Sequence, residues 1–253
     1  MDLSIVIVDY KSKTFLKNCI ESINKTVVDL KYEIIVEDST DGRSYTKAQN
    51  DGFKKAKGKL ILSLNPDTLF KDGSINGMYS ALTTIPWIDC IAPKFLNFDG
   101  SPQSNGHRFP TLTWQIFELL FINYLYPNNI SNLNRRYYDN MKLSSVVEAS
   151  SLACLMFRNK GWMLDEGYFM YYEDTDFCKN KTVFFHSDYT VYHYGGGSKS
   201  KKKDKYMYES MIHYFWKWHG FIPAFILINV LYVRMAVKWI KSGITKRLEK
   251  IRD

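Results

Sequence analysis

Hydrophobic and polar positions follow two different rhythms over the first hundred residues. Short apolar runs rich in β-branched residues, typical of strands covered on both faces, fall at 3–10, 32–39, 59–67 and 88–98. Between them, apolar residues recur every three or four positions, which predicts amphipathic helices. Strands and helices that alternate in this way predict an α/β fold with a mostly parallel, Rossmann-like sheet and flanking helices.

Three helices are predicted between these strands. The second is expected to begin after the N-cap Ser44, to run to about Lys57 and to end at Gly58. The first and third are marked by apolar residues at helical spacing: Leu16, Ile20, Ile23 and Val27, then Ile75, Tyr79 and Leu82.

The pattern weakens over 101–147, where an aromatic helix is predicted at 113–126, and becomes regular again later in the chain. Ordered segments are expected at 146–158 and 167–178, and a strand at 189–194 leads into a glycine run. A lysine-rich loop at 199–205 then precedes C-terminal helices.

The segment 221–240 is apolar apart from Asn229, Arg234 and Lys238. Two cations and a proline argue against a full transmembrane span. Flanking tryptophans and a basic C-terminal stretch favour an amphipathic helix lying on an anionic membrane surface. A helix packed on the core of the protein is the alternative.

Composition narrows the function classes. The chain has 253 residues, 45% of them apolar, which suits one sizeable domain, or one domain with a small appendage. A net charge of +8 indicates an anionic partner such as nucleic acid, sugar phosphates or an acidic membrane. The four cysteines lie far apart, which predicts neither a zinc site nor disulfides, and the N-terminus shows no signal-peptide pattern. A cytoplasmic location is therefore expected.

Polar residues stand where three neighbouring strands end: Tyr10, Asp38, and Asn65 with Asp67. Ligands of open α/β sheets bind beyond the carboxyl ends of the strands, so these side chains are expected to converge. A carboxylate such as Asp67 suits Mg²⁺ or Mn²⁺ when a diphosphate completes the coordination shell. A turn or cap residue is the alternative for Asp67, and a turn residue is the alternative for Asp38.

Two later stretches carry candidate chemistry. Glu173, Asp174 and Asp176 lie within four residues, a cluster that suits either a helix N-terminus or a general base beside a pocket. His193 ends a strand directly before Gly195, whose glycine run could expose backbone N–H groups to an anion.

With these residues in place, the chain resembles a family 2 glycosyltransferase of the GT-A fold, in the rhamnosyltransferase-like branch that builds surface polysaccharides. The matching stretches occur in family order over roughly residues 3–198. They read SIVIVDYKS, YEIIVEDSTDG, NDGFKKAKGKLILSLNPDT, HRFPTL, ASSLACLMFR, FMYYEDTDFC and VYHYGGGS.

The resemblance implies a role for each matching position. Asp67 and His193 would bind the Mn²⁺ or Mg²⁺ ion and the diphosphate, Asp174 would be the catalytic base, and Glu173 would orient the acceptor. The nucleoside contacts would be Tyr10, Asp38, Asn50, Lys57 and Asn65.

The resemblance also implies a domain plan. Residues 1–204 would form a GT-A catalytic domain, with a nucleotide-binding half (1–100) and an acceptor-binding half (101–204), and 205–253 would be a membrane-associating helical segment.

The implied activity is inverting transfer of a sugar, L-rhamnose from its dTDP donor in the favoured case, to a polyprenyl-linked oligosaccharide at the cytoplasmic face of the membrane. No nucleic-acid partner is expected. A nucleotidyltransferase of related fold and a non-catalytic partner subunit are the alternatives.

Overall fold

The computed structural model of the chain describes residues 1–120, 143–195 and 203–252, with side chains to residue 239. The chain divides into two compact units. The first unit comprises Met1–Phe109 and Tyr137–Ser210, and the second comprises Pro110–Arg136 and Met211–Asp253.

A mixed sheet forms the centre of the first unit. Its strands are β1 (Leu3–Asp9), β2 (Tyr32–Asp38), β3 (Leu60–Leu64), β4 (Thr68–Leu69), β5 (Cys90–Leu96), β6 (Pro102–Gln103), β8 (Ser145–Val147), β10 (Cys154–Arg158) and β11 (Val183–His193). A separate ladder pairs β7 (Gly106–His107) with β9 (Ala149–Ser150). The main strand order is β2-β1-β3-β10-β5-β11-β4, with β6 beside β5 and β8 beside β11.

The strands nearest the N-terminus form the parallel half of the sheet. β1 pairs in parallel with both β2 and β3, so that Ile5 lies opposite Ile34 on one side and Leu62 on the other. Every residue of β1 is buried. A strand covered on both faces is what its uninterrupted apolar run predicts.

One strand departs from the strand order expected if each strand of the alternating strand–helix pattern lay beside the next. β10 pairs antiparallel with β3 and with β5 and separates them, so the fourth predicted strand is not adjacent to the third. β11 is parallel to β5, with an irregularity between His186 and Thr190, and antiparallel to β4. The predicted α/β class with a mostly parallel sheet and flanking helices is confirmed.

The helices are α1 (Lys13–Thr26), α2 (Tyr45–Lys55), α3 (Ser74–Thr84), α4 (Leu112–Leu119), α5 (Glu173–Cys178), α6 (Lys203–His219) and α7 (Phe221–Arg252). Ser44 caps α2 as predicted, because its hydroxyl accepts the N–H of Lys47. α2 ends at Lys55, before the predicted Lys57. A Cβ on Gly58 would lie 2.4 Å from the backbone nitrogen of Ser4, so this crossing over β1 requires glycine.

Both faces of the sheet carry a hydrophobic core. On one face, α1 and α3 supply Ile23 and Met78 to a cluster that contains Ile5 of β1. On the other, α2 and α5 supply Phe53 and Phe177 to a cluster that contains Val6. Successive residues of β1 therefore point to opposite cores, as the two-residue repeat of a strand requires.

The described part of the second unit is helical. It contains α4, α6 from Met211 onward, and α7. The guanidinium of Arg234 donates a hydrogen bond to the carbonyl oxygen of Leu119, at the end of α4. Phe221–Trp239 of α7 has a mean hydropathy of 1.7 and is long and apolar enough to cross a membrane, by length and composition only. The predicted helix at 113–126 is present as α4; its residues from 121 lie outside the described ones.

Candidate active site

The carboxyl ends of β1 and β2 lie side by side. Asp9, the last residue of β1, is the register partner of Asp38, the last residue of β2. Tyr10 directly follows β1, and its relative exposure is 50%. The structure thus brings Tyr10 and Asp38 to one edge of the sheet, as the order of the strands predicts.

Asp38 is oriented by the loop that follows it. Its Oδ1 atom accepts the N–H of Thr40 at 2.8 Å. Hydrogen bonds from the hydroxyl and the backbone of Thr40 lower the pKa of Asp38. Arg43 donates to the Asp38 carbonyl oxygen and also pairs with Glu37 at 3.1 Å. The exposed Asp38 carboxylate is therefore ionised at neutral pH and available to accept a hydrogen bond from a ligand.

Asn50 has an internal role. Its amide nitrogen donates to the carbonyl oxygen of Leu164 at 2.9 Å and to Glu166 at 3.1 Å, and its amide oxygen accepts the N–H of Leu164 at 2.8 Å. The side chain is buried, and both of its amide hydrogens are used. Asn50 fixes the 164–166 segment and does not project into the edge formed by Tyr10 and Asp38.

Lys57 lies at the opposite edge of the sheet, which corrects its assignment to the nucleoside pocket. Its backbone N–H donates to the carboxylate of Glu33, near the start of β2. From Glu33 to Asp38 the strand rises about 17 Å, farther than a lysine side chain reaches. The sequence alone did not show at which edge of the sheet Lys57 lies. The turn between α2 and β3 places it at the edge opposite to Asp38.

The turn after β3 presents Asn65 and Asp67 at the same edge as Asp38. The N–H of Asn65 donates to the carbonyl oxygen of Ala153, the residue before β10, at 2.9 Å. The carbonyl oxygen of Asn65 accepts the Thr68 hydroxyl at 2.8 Å. The amide oxygen of Asn65 accepts a hydrogen bond from the Tyr45 hydroxyl at 3.4 Å. Tyr45, the first residue of α2, was not predicted as a site residue.

Asp67 and His193 form a close pair. Asp67 Oδ1 lies 3.5 Å from His193 Nε2. The other ring nitrogen, Nδ1, lies 2.6 Å from the side-chain oxygen of Gln103. The Gln103 amide nitrogen donates to Asn97, which orients the Gln103 oxygen toward the histidine. Since an amide oxygen can only accept, Nδ1 carries the hydrogen, and Nε2 presents a lone pair when the ring is neutral.

The donor set of this pair suits a divalent cation. An imidazole nitrogen and a carboxylate oxygen that face each other are two acceptors, and a cation or a shared proton would satisfy both. The hydrogen bond from His193 to Gln103 is the type of contact that orients metal-bound histidines. Over the described part of the chain, no group of three or more His, Cys, Asp or Glu side chains is arranged so that it could hold a metal ion. The protein would therefore supply two ligands from this pair.

The acidic cluster follows an unusual backbone segment. Tyr171 and Tyr172 both adopt positive φ, 72° and 65°, immediately before α5 begins at Glu173. Left-handed backbone at consecutive non-glycine residues is uncommon and costs free energy, and it clusters at functional sites. This turn sets the directions of Glu173 and Asp174.

Glu173 and Asp174 have different environments. Glu173 is buried, and its Oε2 atom has no hydrogen-bond partner. Burial, together with the neighbouring Asp174 charge, raises the pKa of Glu173 to about 8. Asp174 is partly exposed, and its Oδ1 accepts the N–H and the hydroxyl of Thr175 at 2.6 and 3.1 Å. At pH 7 Glu173 therefore holds its proton and cannot accept another as a general base.

Asp176 does not cap the helix. The N-cap position is Tyr172, which makes no capping side-chain hydrogen bond. Asp176 Oδ1 instead accepts the hydroxyl of Tyr168, a buried contact at 3.2 Å. Asp176 therefore joins α5 to the segment before it.

Tyr45 contacts both the turn after β3 and the segment that precedes the acidic cluster. Its hydroxyl contacts Asn65, and it accepts the Gln49 amide at 2.9 Å. Burial raises the pKa of Tyr45, and the nearby charges of Glu173 and Asp174 raise it further. The backbone N–H of Tyr45 donates to the carbonyl oxygen of Phe169 at 3.0 Å, so Tyr45 is bonded both to the turn after β3 and to the segment that leads into α5, all within the first unit.

The glycine run after His193 is only partly described. Gly195 has φ of +67°, and a Cβ there would come within 3.1 Å of the Gln103 amide nitrogen. Gly196, Gly197 and the lysines at 199–202 lie outside the described residues. The predicted anion-binding amides of that run stay a prediction.

No protein-family model matches this chain. Among curated proteins, it is similar to the low-salt glycan biosynthesis hexosyltransferase Agl10 of Haloferax volcanii, with 28% identity over 196 residues. The match covers 70% of this chain and 60% of that relative. This chain therefore spans less than two thirds of the length of the relative.

Two solved structures of TarS from S. aureus are similar to this chain in fold. One gives a TM-score of 0.50 at 13% identity and covers 84% of this chain and 39% of TarS. The other, of residues 1–349, gives 0.48 at 14% identity and covers 85% and 72% of the two chains. The first of these likenesses supports the fold class.

Proposed function

We propose that this protein is a glycosyltransferase that moves a hexose from a nucleoside-diphosphate sugar to a glycan acceptor. The observation that carries the proposal is that Tyr45 is bonded on two sides: its hydroxyl donates to Asn65 of the turn that holds Asp67, and its backbone N–H donates to Phe169 in the segment that leads into the Glu173–Asp174 pair. The similarity to a hexosyltransferase of glycan biosynthesis supports the same activity.

Inverting transfer accounts for the acidic pair. Displacement at an anomeric carbon needs a carboxylate to take the proton of the acceptor hydroxyl on the face opposite the leaving diphosphate, as the base of an inverting glycosidase does. Glu173 keeps its proton at pH 7, so Asp174 is the member of the pair to which the role of base is assigned. As a neutral carboxylic acid, Glu173 can donate one hydrogen bond that orients the acceptor.

Asp67 and His193 would hold a Mg²⁺ or Mn²⁺ ion, whose other ligands would come from the donor diphosphate and water. When bound, such an ion neutralises the charge that develops on the leaving diphosphate. Asn65 would face the ribose, while Tyr10 and Asp38 would contact the base: an exposed ring can stack on it, and an ionised carboxylate can accept its imide N–H.

The proposed donor sugar and acceptor rest on the family resemblance of the sequence. L-Rhamnose from its dTDP donor is the proposed substrate, and a polyprenyl-linked oligosaccharide is the proposed acceptor, in cell-surface polysaccharide synthesis. The exposed apolar side chains of α7 support the proposed membrane location: Phe221, Ile222 and Trp239 are 68%, 70% and 79% exposed. Docking of this face on the cytoplasmic leaflet would place the enzyme beside a lipid-linked acceptor.

The test is a panel of nucleotide sugars, dTDP-L-rhamnose and UDP-hexoses included, incubated with the protein and a membrane extract with and without Mn²⁺. Release of free nucleoside diphosphate that depends on the acceptor, and that Asp174→Asn lowers by about 10²- to 10⁴-fold, is the expected result. Pyrophosphate release from a nucleoside triphosphate and a sugar 1-phosphate would instead indicate a nucleotidyltransferase. Binding of nucleotide sugar without turnover of any donor would indicate a non-catalytic subunit.

A further inference from the structure

Thr175, the residue after the proposed base, makes two contacts with it. The residue is completely buried, and both its backbone N–H and its hydroxyl lie within hydrogen-bond distance of Asp174 Oδ1. Within the described residues, no group donates to Asp174 Oδ2. One carboxylate oxygen is thereby fixed, and the other is left to face a substrate.

The Thr175 hydroxyl also contacts His107, at 2.9 Å from Nε2. A hydroxyl has one hydrogen, and an ionised carboxylate can only accept. If that hydrogen goes to Asp174, the contact with His107 requires the histidine Nε2–H to donate to the threonine oxygen. The three side chains therefore form a chain of hydrogen bonds in which His107 donates to Thr175 and Thr175 donates to Asp174.

His107 has a fixed position from which to do this. It ends β7, where its register partner is Ala149 of β9, and it is buried. It begins the HRFPTL stretch, which carries part of the family resemblance but received no role from the sequence. A buried histidine that reaches the residue next to the proposed base explains what that stretch contributes.

We infer that Thr175 and His107 are positioning residues that hold Asp174 with Oδ2 turned toward the acceptor hydroxyl. This inference rests on the proposed function, since it assigns residues to the same site. Fixing the base matters because a displacement of about 1 Å at a reacting group can cost about 100-fold in rate.

The test compares Thr175→Ser, which keeps the hydroxyl, with Thr175→Val, which replaces it by a methyl group of similar shape. We expect Thr175→Val to lower kcat by about 10- to 100-fold. The acceptor KM and the affinity for nucleoside diphosphate should stay near wild type. Thr175→Ser should recover most of kcat. Thr83→Val, which removes an exposed α3 hydroxyl bonded only to its own helix, is the matched control.

A second pair of variants tests His107 through a different residue. Gln at position 107 can place an amide N–H near the position of Nε2, whereas Asn is too short to reach Thr175. His107→Asn should therefore lower kcat with little change in KM, and His107→Gln should recover much of it. Thermal melts of all variants separate these effects from loss of folding.

Each outcome has one meaning. Equal kcat for Thr175→Val and Thr175→Ser, or for His107→Asn and His107→Gln, would overturn the inference while wild-type transfer activity stands. A fall in donor affinity that matches the fall in kcat would also overturn it, because positioning of the base leaves the nucleotide site unchanged. Absence of any transfer by the wild-type protein would count against the proposed function itself.

Discussion

Asp67 Oδ1 lies 3.5 Å from His193 Nε2, and a short antiparallel ladder places the two residues together. Thr68, next to Asp67, is the register partner of His193, and the N–H of Tyr194 donates to the Asp67 carbonyl oxygen at 3.0 Å. Two strands far apart in sequence thus build one half of the proposed diphosphate site. Backbone pairing, rather than flexible side-chain contact, determines the geometry.

Asp67→Ala is expected to abolish turnover and the metal-dependent part of nucleoside-diphosphate binding, since it removes the only carboxylate of the pair. Calorimetry with and without Mn²⁺ measures this directly. Asp99→Ala, which removes an acid from an exposed turn, is the control and should bind normally. Unchanged Mn²⁺-dependent binding in Asp67→Ala would remove Asp67 from the site.

Asp174→Asn should lower kcat by about 10²- to 10⁴-fold, the usual span for loss of a general base, with little change in donor affinity. Glu173→Gln keeps a neutral side chain able to donate, so its effect should appear mainly in the acceptor KM. Steady-state kinetics on both variants check this assignment. Near-normal kcat in Asp174→Asn would refute it.

Asp176→Asn should reduce stability and leave kcat near wild type. Its carboxylate accepts the buried Tyr168 hydroxyl, and weakening such a bond costs about 1–3 kcal/mol. Thermal melts run beside the kinetics measure both quantities. A fall in kcat as large as that of Asp174→Asn would move the base to Asp176.

Glu173 predicts a specific pH dependence of stability. Burial raises its pKa from 4.5 to about 8 in the folded protein, so between these values the unfolded chain releases a proton that the folded protein keeps. The free energy of unfolding therefore falls as pH rises from about 4.5 to about 8. Glu173→Gln cannot ionise, so its stability relative to wild type should increase across this window. Urea titrations at several pH values test this, and a constant difference between the two proteins would contradict it.

Phe221→Ser with Ile222→Ser should weaken binding to anionic liposomes, because both side chains are exposed on the proposed membrane face of α7. Vesicle flotation measures the bound fraction. Val28→Ser, an exposed apolar residue of the first unit, is the matched control. If the intact protein does not bind anionic vesicles, the proposed membrane contact of α7 is wrong.

The pattern of apolar and polar residues was sufficient to predict most strands and helices of the first hundred residues. It also predicted the edge of the sheet at which the candidate site lies. β-Branched runs and helical spacing correctly predicted β1, β2, β3, β5 and the three helices between them. The two-residue strands β4 and β6 were missed, since so few residues carry no detectable periodicity. Because parallel strands present their carboxyl ends together, the convergence of Tyr10, Asp38 and Asn65 also followed from sequence.

Tertiary packing decided the chemistry of individual side chains. The sequence could not show that Lys57 stands at the opposite edge, that Asn50 is used by the 164–166 segment, or that Glu173 is buried beside Asp174. Periodicity reports which face of an element is apolar, whereas a pKa or a hydrogen-bond partner depends on atoms brought in from distant parts of the chain. That is why the sequence by itself determined the elements and the edge of the sheet, and only the tertiary structure decided which carboxyl group keeps its proton.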